Sequence, residues 1–434
     1  MKTYFIRRLL LVPPTLIGIT LLVFLVIRLA PGGPVQRDVA QMMGAAAGES
    51  GGGASRESEE ARITPAQIFE IEEKHHRDKG VFRSYVEWLG VMPRDILRVA
   101  KSFEADANEI ELPIPGSIEK ATVKRPTNGD IQWELPEDMD ASLWKVRVVS
   151  VKELEKRWKR QLRDVPFPDG VQPRAVLYRS SFEGLLQGSL GRSDKYGDPV
   201  WSLVAQRIPI SLFYGIISMI LIYSVCLPLG VIKAIKHRTW IDTSTSVAVF
   251  AGYAIPSYVL GAFLLVFLGA RLDLLPMQGF VSENFSELPL GGQIVDLIRH
   301  AIMPLCCYLI GSFAFMTFMM KNNLMDNLAA DYVRTAAAKG VPFRRAVFRH
   351  AFRNSIIPIA TTFGQNITIL VGGSFLIEKI FDINGFGLLQ YSAILEKDEK
   401  VVLGVLAISA TLMLIGNILS DLCVAAVDPR IRFK

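Results

Sequence analysis

The sequence has 434 residues, half of them hydrophobic, with a net charge of +6 and a mean hydropathy of +0.31. That is more apolar mass than one soluble core uses, so the composition points to a lipid solvent. A basic balance raises nucleic acid as a partner, but the topology rule for membrane proteins accounts for the same charges, and nucleic-acid binding is set aside. Cys226, Cys306, Cys307 and Cys423 all fall in apolar runs, which excludes a disulfide framework and a cysteine-based zinc site. His75, His76, His237, His300 and His350 are scattered with no neighbouring carboxylate set, so no metal site is expected.

A helix needs about 20 mostly apolar residues to cross the hydrocarbon core, because every amide there must be bonded within its own segment. Six stretches meet that requirement: Leu9 to Ala30, Ile208 to Ile232, Ser244 to Ala270, His300 to Met320, Ser355 to Ile377 and Val401 to Val427. The first is long for a signal-peptide core, carries Pro13 and Pro14 and lacks a small-residue cleavage site before Pro31, so a retained anchor is expected. Arg28, near its far end, is expected to snorkel to the headgroups. Pro256 and Pro304 are placed to kink the third and fourth spans.

Between the first two spans, residues 32–206 make one polar excursion long enough for a domain of its own. Residues 44–60, reading GAAAGESGGGASRESEE, predict a flexible linker. Pro65 to Lys79 and Tyr85 to Val99 predict short helices, and Lys152 to Arg163 another. The runs IQWEL and WKVRVV, within Thr122 to Val151, predict paired strands. Trp88, Trp133, Trp144 and Trp158 supply aromatic surface for a small core. Such a region serves either as a structural lid or as a docking surface for an extracytoplasmic partner.

Basic residues gather on one side of the spans: Arg7 and Arg8; Lys233, Lys236 and Arg238; Lys321, Arg334, Lys339, Arg344, Arg345, Arg349 and Arg353; Arg430, Arg432 and Lys434. The opposite loops offset fewer basic residues with Asp273, Glu283, Glu287, Asp296, Asp382, Glu396, Asp398 and Glu399. Both termini are therefore expected in the cytoplasm of a bacterial inner membrane protein. The resulting expectation is an all-α polytopic membrane protein of six transmembrane helices with a large α+β extracytoplasmic insertion. Its parts are residues 1–31 (tail and first helix), 32–206 (the insertion) and 207–434 (the transmembrane domain, with a cytoplasmic loop at 321–355).

The most informative segment is DYVRTAAAKGVPFRRAVFRHAFRNSIIP, from Asp331 to Pro358. Small residues at Ala336, Ala337 and Ala338 let a short helix sit close in a partner's groove, Gly340 can end it, and the arginines suit an anionic surface. The segment resembles the coupling loop of binding-protein-dependent ABC importer permeases, whose pattern is Glu-Ala-Ala, three residues, then Gly. Placed on Gly340, that pattern aligns Arg334 with the Glu, Thr335 with the first Ala and Ala336 with the second. YVRTAAAKG and HAFRNSIIP look specifically like the dipeptide and oligopeptide subfamily, where Arg and Thr at those positions are common.

The likeness continues through RRLLLVPPTLIGITLLVFLVIRLAPGGPV (Arg7 to Val35), LLQGSLGRSDKYGDPVWSLVAQRIPISL (Leu185 to Leu212) and FDINGFGLLQYSAILEKD (Phe381 to Asp398). Within the subfamily it is similar to the Yej-type permeases, which have a long first external segment. The stretch 92–179 interrupts a region that is short in most peptide permeases. The resemblance implies a type I ABC importer fold and ATPase coupling through Arg334, Thr335, Ala336, Ala337, Lys339 and Gly340. It also implies a second homologous permease subunit as a heterodimer partner, two ABC ATPase domains holding ATP and Mg, and a periplasmic solute-binding protein that delivers peptide.

The chain itself has no glycine-rich loop ending in Gly-Lys-Ser/Thr, so it is expected to bind no ATP or other cofactor and to be no enzyme. LGGQ at Leu290 to Gln293 looks like part of an ATPase signature but is expected to be a loop with turn glycines on the outer side. Polar residues inside the spans mark either helix packing or a solute path. The fifth span supplies Thr361, Thr362, Gln365, Asn366 and Thr368, with Glu378 at its outer end; the sixth adds Ser409, Thr411, Asn417, Ser420 and Asp421. A secondary transporter and a membrane-anchored binding scaffold are the competing readings. The few ionisable groups at mid-membrane weigh against the first.

Overall fold

The computed structural model describes residues 2–30, 33–39, 64–125, 131–136, 139–161, 166–363 and 374–427. It divides into two compact units, Leu21–Gly191 and a larger one of Met1–Thr20 with Arg192–Lys434. The residues expected to form a linker, 44–60, lie outside the described residues.

The chain begins with α1 (Lys2–Leu29), a helix that continues through Pro13 and Pro14. The smaller unit holds α2 (Pro65–Lys74), α3 (Val81–Leu89) and α4 (Val151–Gln161) beside two three-stranded sheets. Thr64 opens α2: its hydroxyl accepts from the Gln67 amide while the Gln67 side chain accepts from the Thr64 amide, with Pro65 in the first turn. Gly90, at φ +89, ends α3, so the helix expected over Tyr85 to Val99 stops there. The residues beyond it enter β1 (Arg94–Ser102).

β2 (Glu109–Pro113), β3 (Lys120–Lys124) and β4 (Trp133–Glu134) form one antiparallel sheet in that order. β5 (Trp144–Val149) and β6 (Arg174–Ser181) join β1 in the other, with β6 central. The two runs expected to pair with each other are thus in different sheets. The strong partner of WKVRVV is the distant RAVLYRSS, with Val146 opposite Leu177 and Val148 opposite Ala175. Alternation sets the inner faces: Ile110 and Leu112 are buried while Glu109 and Glu111 are exposed, and Val123, Ala175 and Leu177 complete a core shared by both sheets.

Charges are buried in this unit in pairs. The Asp78 carboxylate accepts from Arg98 at 3.0 Å and Arg147 at 2.8 Å, Lys79 bridges Glu87 at 2.8 Å and Asp95 at 3.1 Å, and Arg174 meets Glu73 at 3.2 Å. Burial by itself would raise the Asp78 pKa, but Arg98, Arg147 and Arg157 outweigh it and hold the carboxyl below the usual range. Because the folded value is depressed, this stabilisation is fully present above the unfolded value of about 4 and is lost as pH falls through the folded one. Thermal unfolding followed by tryptophan fluorescence should show a constant midpoint down to about pH 5 and a fall below about pH 4. Asp78→Asn should lower the midpoint at neutral pH and flatten that acid limb; an unchanged acid limb would remove Asp78 as its cause.

Arg28, expected to snorkel, has partners within its own chain. Its guanidinium donates to the His76 carbonyl at 3.1 Å and lies 5.2 Å from the centre of the Phe24 ring.

In the larger unit α5 (Val200–Ile235) is 36 residues long and packs along α8 (Leu290–Ala329), which is 40. Between them in sequence lie α6 (Trp240–Ala254) and α7 (Ser257–Leu264), with a π-helical turn at Leu265–Arg271. The third expected span is therefore broken: Trp240–Ala254 and Ser257–Arg271 meet at 89°. Pro256 lacks an amide and forces Ile255 into extended backbone, at φ −88 and ψ 118, so the helix cannot run through. Pro304 sits inside an α8 that does run through it. Leu290 to Gln293, expected as a loop, is the first turn of α8 after Pro289.

α5 and α8 approach closely at Gly230, where a Cβ would fall 2.6 Å from that of Met320 and 2.8 Å from the Thr317 carbonyl oxygen. Only hydrogen fits there, as at small-residue contacts between membrane helices. After α8 come α9 (Asp331–Ala338), α10 (Phe375–Ile380), α11 (Phe386–Leu395) and α12 (Glu399–Val427). Among the described residues four helices, α1, α5, α8 and α12, are long and apolar enough to cross a membrane, or five if the bent pair is one span. For the expected fifth span, residues 352–355 and 357–363 are helical, and 364–373 lie outside the described residues.

Candidate functional site

The segment with the small-residue pattern is a separate two-turn helix, α9, set off from the end of α8 by Ala330 in extended conformation (φ −71, ψ 148). Val333 is its buried anchor, in a core with Met320, Leu324, Ala346 and Ala351. Tyr332 pins the start, donating to Asn327 at 2.6 Å while accepting from Asn354 at 3.0 Å. The end is a Schellman turn: the Gly340 amide bonds the Ala337 carbonyl, the Val341 amide bonds the Ala336 carbonyl, and Gly340 sits at φ +81. Pro342 follows and prevents continuation.

The expected coupling residues are thus brought onto one short element. Arg334, Thr335, Ala337, Lys339 and Gly340 are exposed, Ala336 is half-buried, and a Cβ on Gly340 would meet nothing within 4 Å. Among the described residues the charge on Arg334 is met by an exposed contact to Asp331 at 4.0 Å, which adds little stability. This surface is available to a partner.

Beside it lies a buried charge cluster that no sequence pattern announced. Asp242, in the first turn of α6, receives Lys321 of α8 at 2.8 Å on both carboxylate oxygens and Lys233 of α5 at 3.1 Å. Lys233 is fully buried and also donates to the Asp242 carbonyl at 2.9 Å, Thr245 at 3.0 Å and Ser246 at 2.6 Å. The Arg238 amide donates to Asp242 at 3.2 Å, and His237 lies 3.3 Å from the same oxygen. The Phe318 ring centre is 5.1 Å from the Lys233 ammonium and 5.8 Å from that of Lys321. Two lysines that the sequence placed among the basic residues flanking the spans are buried partners of one carboxylate, clasping α5, α6 and α8. The available signal was an isolated Asp amid basic loops, which nothing local connected to a lysine 79 residues away.

The expected path residues separate. Thr361 is exposed, with its hydroxyl on the Pro358 carbonyl at 2.6 Å and its own carbonyl accepting from Ser420 at 2.8 Å. Thr362 is buried, donating to the Ile359 carbonyl at 2.8 Å and facing Met316. Gln365, Asn366 and Thr368 lie outside the described residues. Glu378 is only 1% exposed. Its carboxylate accepts from the Leu388 amide at 2.6 Å and Ser211 at 3.4 Å, while the Ser211 hydroxyl accepts from the Phe386 amide at 2.8 Å. Glu378 therefore caps the amino end of α11, where orphan amides favour a carboxylate. A Cβ on Gly385 would come within 2.4 Å of that carboxyl group, which explains the glycine. In α12, Asp421 is bonded by Tyr4 at 3.0 Å and paired with Arg8, so it joins helices.

A hydrogen bond and two ion pairs fasten the segment before α5 to the start of α12 and the turn preceding it. The Ser193 hydroxyl donates to Asp398 at 2.6 Å, Lys400 meets Asp194 at 2.6 Å, and Lys195 pairs with Glu396. Among the described residues no group of His, Cys, Asp and Glu side chains is arranged to hold a metal.

Residues 226–433 match the family described as binding-protein-dependent transport system inner membrane component, a range that includes the clasp and α9. The chain is 30% identical over 438 residues to an inner membrane ABC transporter permease protein, YejB, of Escherichia coli, covering all of both chains. It is 29% identical over 437 residues to a peptidoglycan transport system permease protein, YejB, of Agrobacterium fabrum, covering 100% of this chain and 99% of that one. An oligopeptide transport system permease protein, AppB, of Bacillus subtilis is 34% identical over 262 residues, 60% of this chain and 81% of its own. On that full-length similarity and the matched domain, the chain belongs to the binding-protein-dependent transport system inner membrane components, the multi-pass permease subunits of ABC transporters.

Proposed function

We propose that the chain forms half of the transmembrane path of an ATP-binding-cassette importer for peptides or peptide-like solutes, coupled to its ATPase through α9. The observation that carries this is an exposed two-turn helix of small residues, closed by Gly340 and borne on the end of the 40-residue α8. Displacement of α9 by a closing ATPase reaches α8 directly, and the Asp242 clasp extends it to α5 and α6. The names of the relatives support the solute class.

In this reading six helices cross the bilayer in the type I importer arrangement, with both termini and α9 in the cytoplasm. Residues 32–206 form the periplasmic insertion. A homologous permease subunit completes the path, two ATPase domains carry ATP and Mg, and a periplasmic binding protein delivers the solute. Thr361, Thr362, Gln365, Asn366 and Thr368 line the path, and Glu378 holds its outer rim through α11. Chemistry on the solute is not involved.

The test is purification of the tagged chain from its native membrane in mild detergent, followed by mass spectrometry. Recovery of an ABC ATPase and a second permease is expected. A chain active alone, with uptake driven by an ion gradient, would overturn the assignment.

A further inference from the structure

Five large apolar side chains of the smaller unit, Phe82, Val91, Met92, Phe182 and Leu186, are between 42% and 76% exposed. They occupy one edge. Phe82 is one turn before Tyr85 on α3 and two before Leu89. Val91 and Met92 leave the end of α3, both amides bonded to the Val86 carbonyl. Gln187 donates to the Gly90 carbonyl at 3.0 Å, and Gly184 packs so closely on Gly90 that a Cβ would fall 2.4 Å from the Gly90 nitrogen. This brings Leu186 to the same turn. The pairing of Arg94 with Ser181 starts the β1–β6 ladder, so Phe182 leaves that ladder beside Met92.

The level of this edge is set by α1. Tyr85 and Trp88 pack on Phe24 of α1, with ring centres 5.4 and 6.3 Å away. Phe24 lies one turn before Arg28, while Leu22, Val26 and Leu29 are exposed on the same stretch. The lipid-facing surface of α1 therefore reaches the height at which α3 is docked.

We propose that Phe82, Val91, Met92, Phe182 and Leu186 form an interfacial foot that inserts into the acyl–headgroup boundary of the leaflet at the carboxyl end of α1. A contiguous apolar patch on a soluble face would promote association, whereas one continuous with a lipid-facing helix gains burial in the bilayer. The foot depends on the membrane placement of α1 and not on the coupling role of α9.

The intact chain, in phospholipid nanodiscs, is examined with trifluoromethyl-phenylalanine introduced singly at Phe82, Phe182 and Leu186. Glu111, exposed and paired with Lys120, is the aqueous control. Fluorine relaxation by dissolved oxygen, which concentrates in lipid, is compared with relaxation by a water-soluble nickel chelate. The oxygen-to-nickel ratio is expected to be several-fold higher at the three foot positions than at the control. Equal ratios would place the patch in water, and shielding from both reagents would mean that protein covers it; either result overturns the proposal.

Discussion

Asp242→Asn is expected to lower the thermal midpoint of the purified chain sharply, because it leaves Lys233 and Lys321 facing each other without a counter-charge. Removing one partner of a buried ion pair is destabilising by roughly 3 kcal/mol or more, since the remaining charge has lost its water as well as its partner. Lys233 has no exposed surface, and among the described residues it would keep neutral partners, the hydroxyls of Thr245 and Ser246, the residue 242 carbonyl and the Phe318 ring. Adding Lys321→Met to Asp242→Asn should recover part of the loss, because one uncompensated ammonium is gone. The comparison is made by thermal unfolding in one detergent. Additive losses in the double variant would mean that Asp242 and Lys321 do not act as a pair.

The second large effect is on coupling rather than stability. Ala336→Glu and Ala337→Glu should each reduce binding-protein-stimulated ATP hydrolysis by the assembled transporter about tenfold, equivalent to ~1.4 kcal/mol of coupling free energy. Neither should prevent membrane insertion, because α9 is anchored by Val333 and Tyr332 and not by the two alanines. The position of Ala337 is the cleaner probe, since its side chain is exposed and makes no demand on the fold. Stimulated hydrolysis equal to that of the unaltered chain, in a complex of unaltered composition, would exclude α9 as the coupling element.

The path from sequence to site differs between these two cases. The α9 surface was readable because everything that defines it is local: a small-residue run, a glycine at the C′ position, a proline two residues on and a polar residue at each turn. The Asp242 clasp was not, because its members come from three helices and each looks ordinary alone. Lysines at helix ends are what the topology rule predicts, and it makes no distinction between a solvated lysine and a buried one.

Similar limits explain the other differences. Gly90 is a stop signal visible in the sequence, yet the helix expectation ran past it because the residues beyond are apolar enough for either structure. The partner of the β5 run lay outside the local window, and alternation specifies which face is buried but not which strand lies alongside. Glu378 read as a group beside a path because a carboxylate at a span end is costly; the amide that offsets the cost belongs to Leu388, on the next helix. Arg28 bonds the His76 carbonyl, a partner 48 residues away that no local pattern indicates.

Membrane class, the course of the long apolar helices and the short helix at Asp331–Ala338 follow from hydropathy and capping, which are sums over neighbouring residues and need no knowledge of the fold. The right-angle break at Pro256 was legible as a position but not as an angle, because proline removes the bond and packing sets the direction. Ion pairs, strand order and the partners of buried polar groups required the folded chain. Desolvated charges and ladder amides must be satisfied by whatever the topology brings within about 3 Å, and that distance has no counterpart along the sequence.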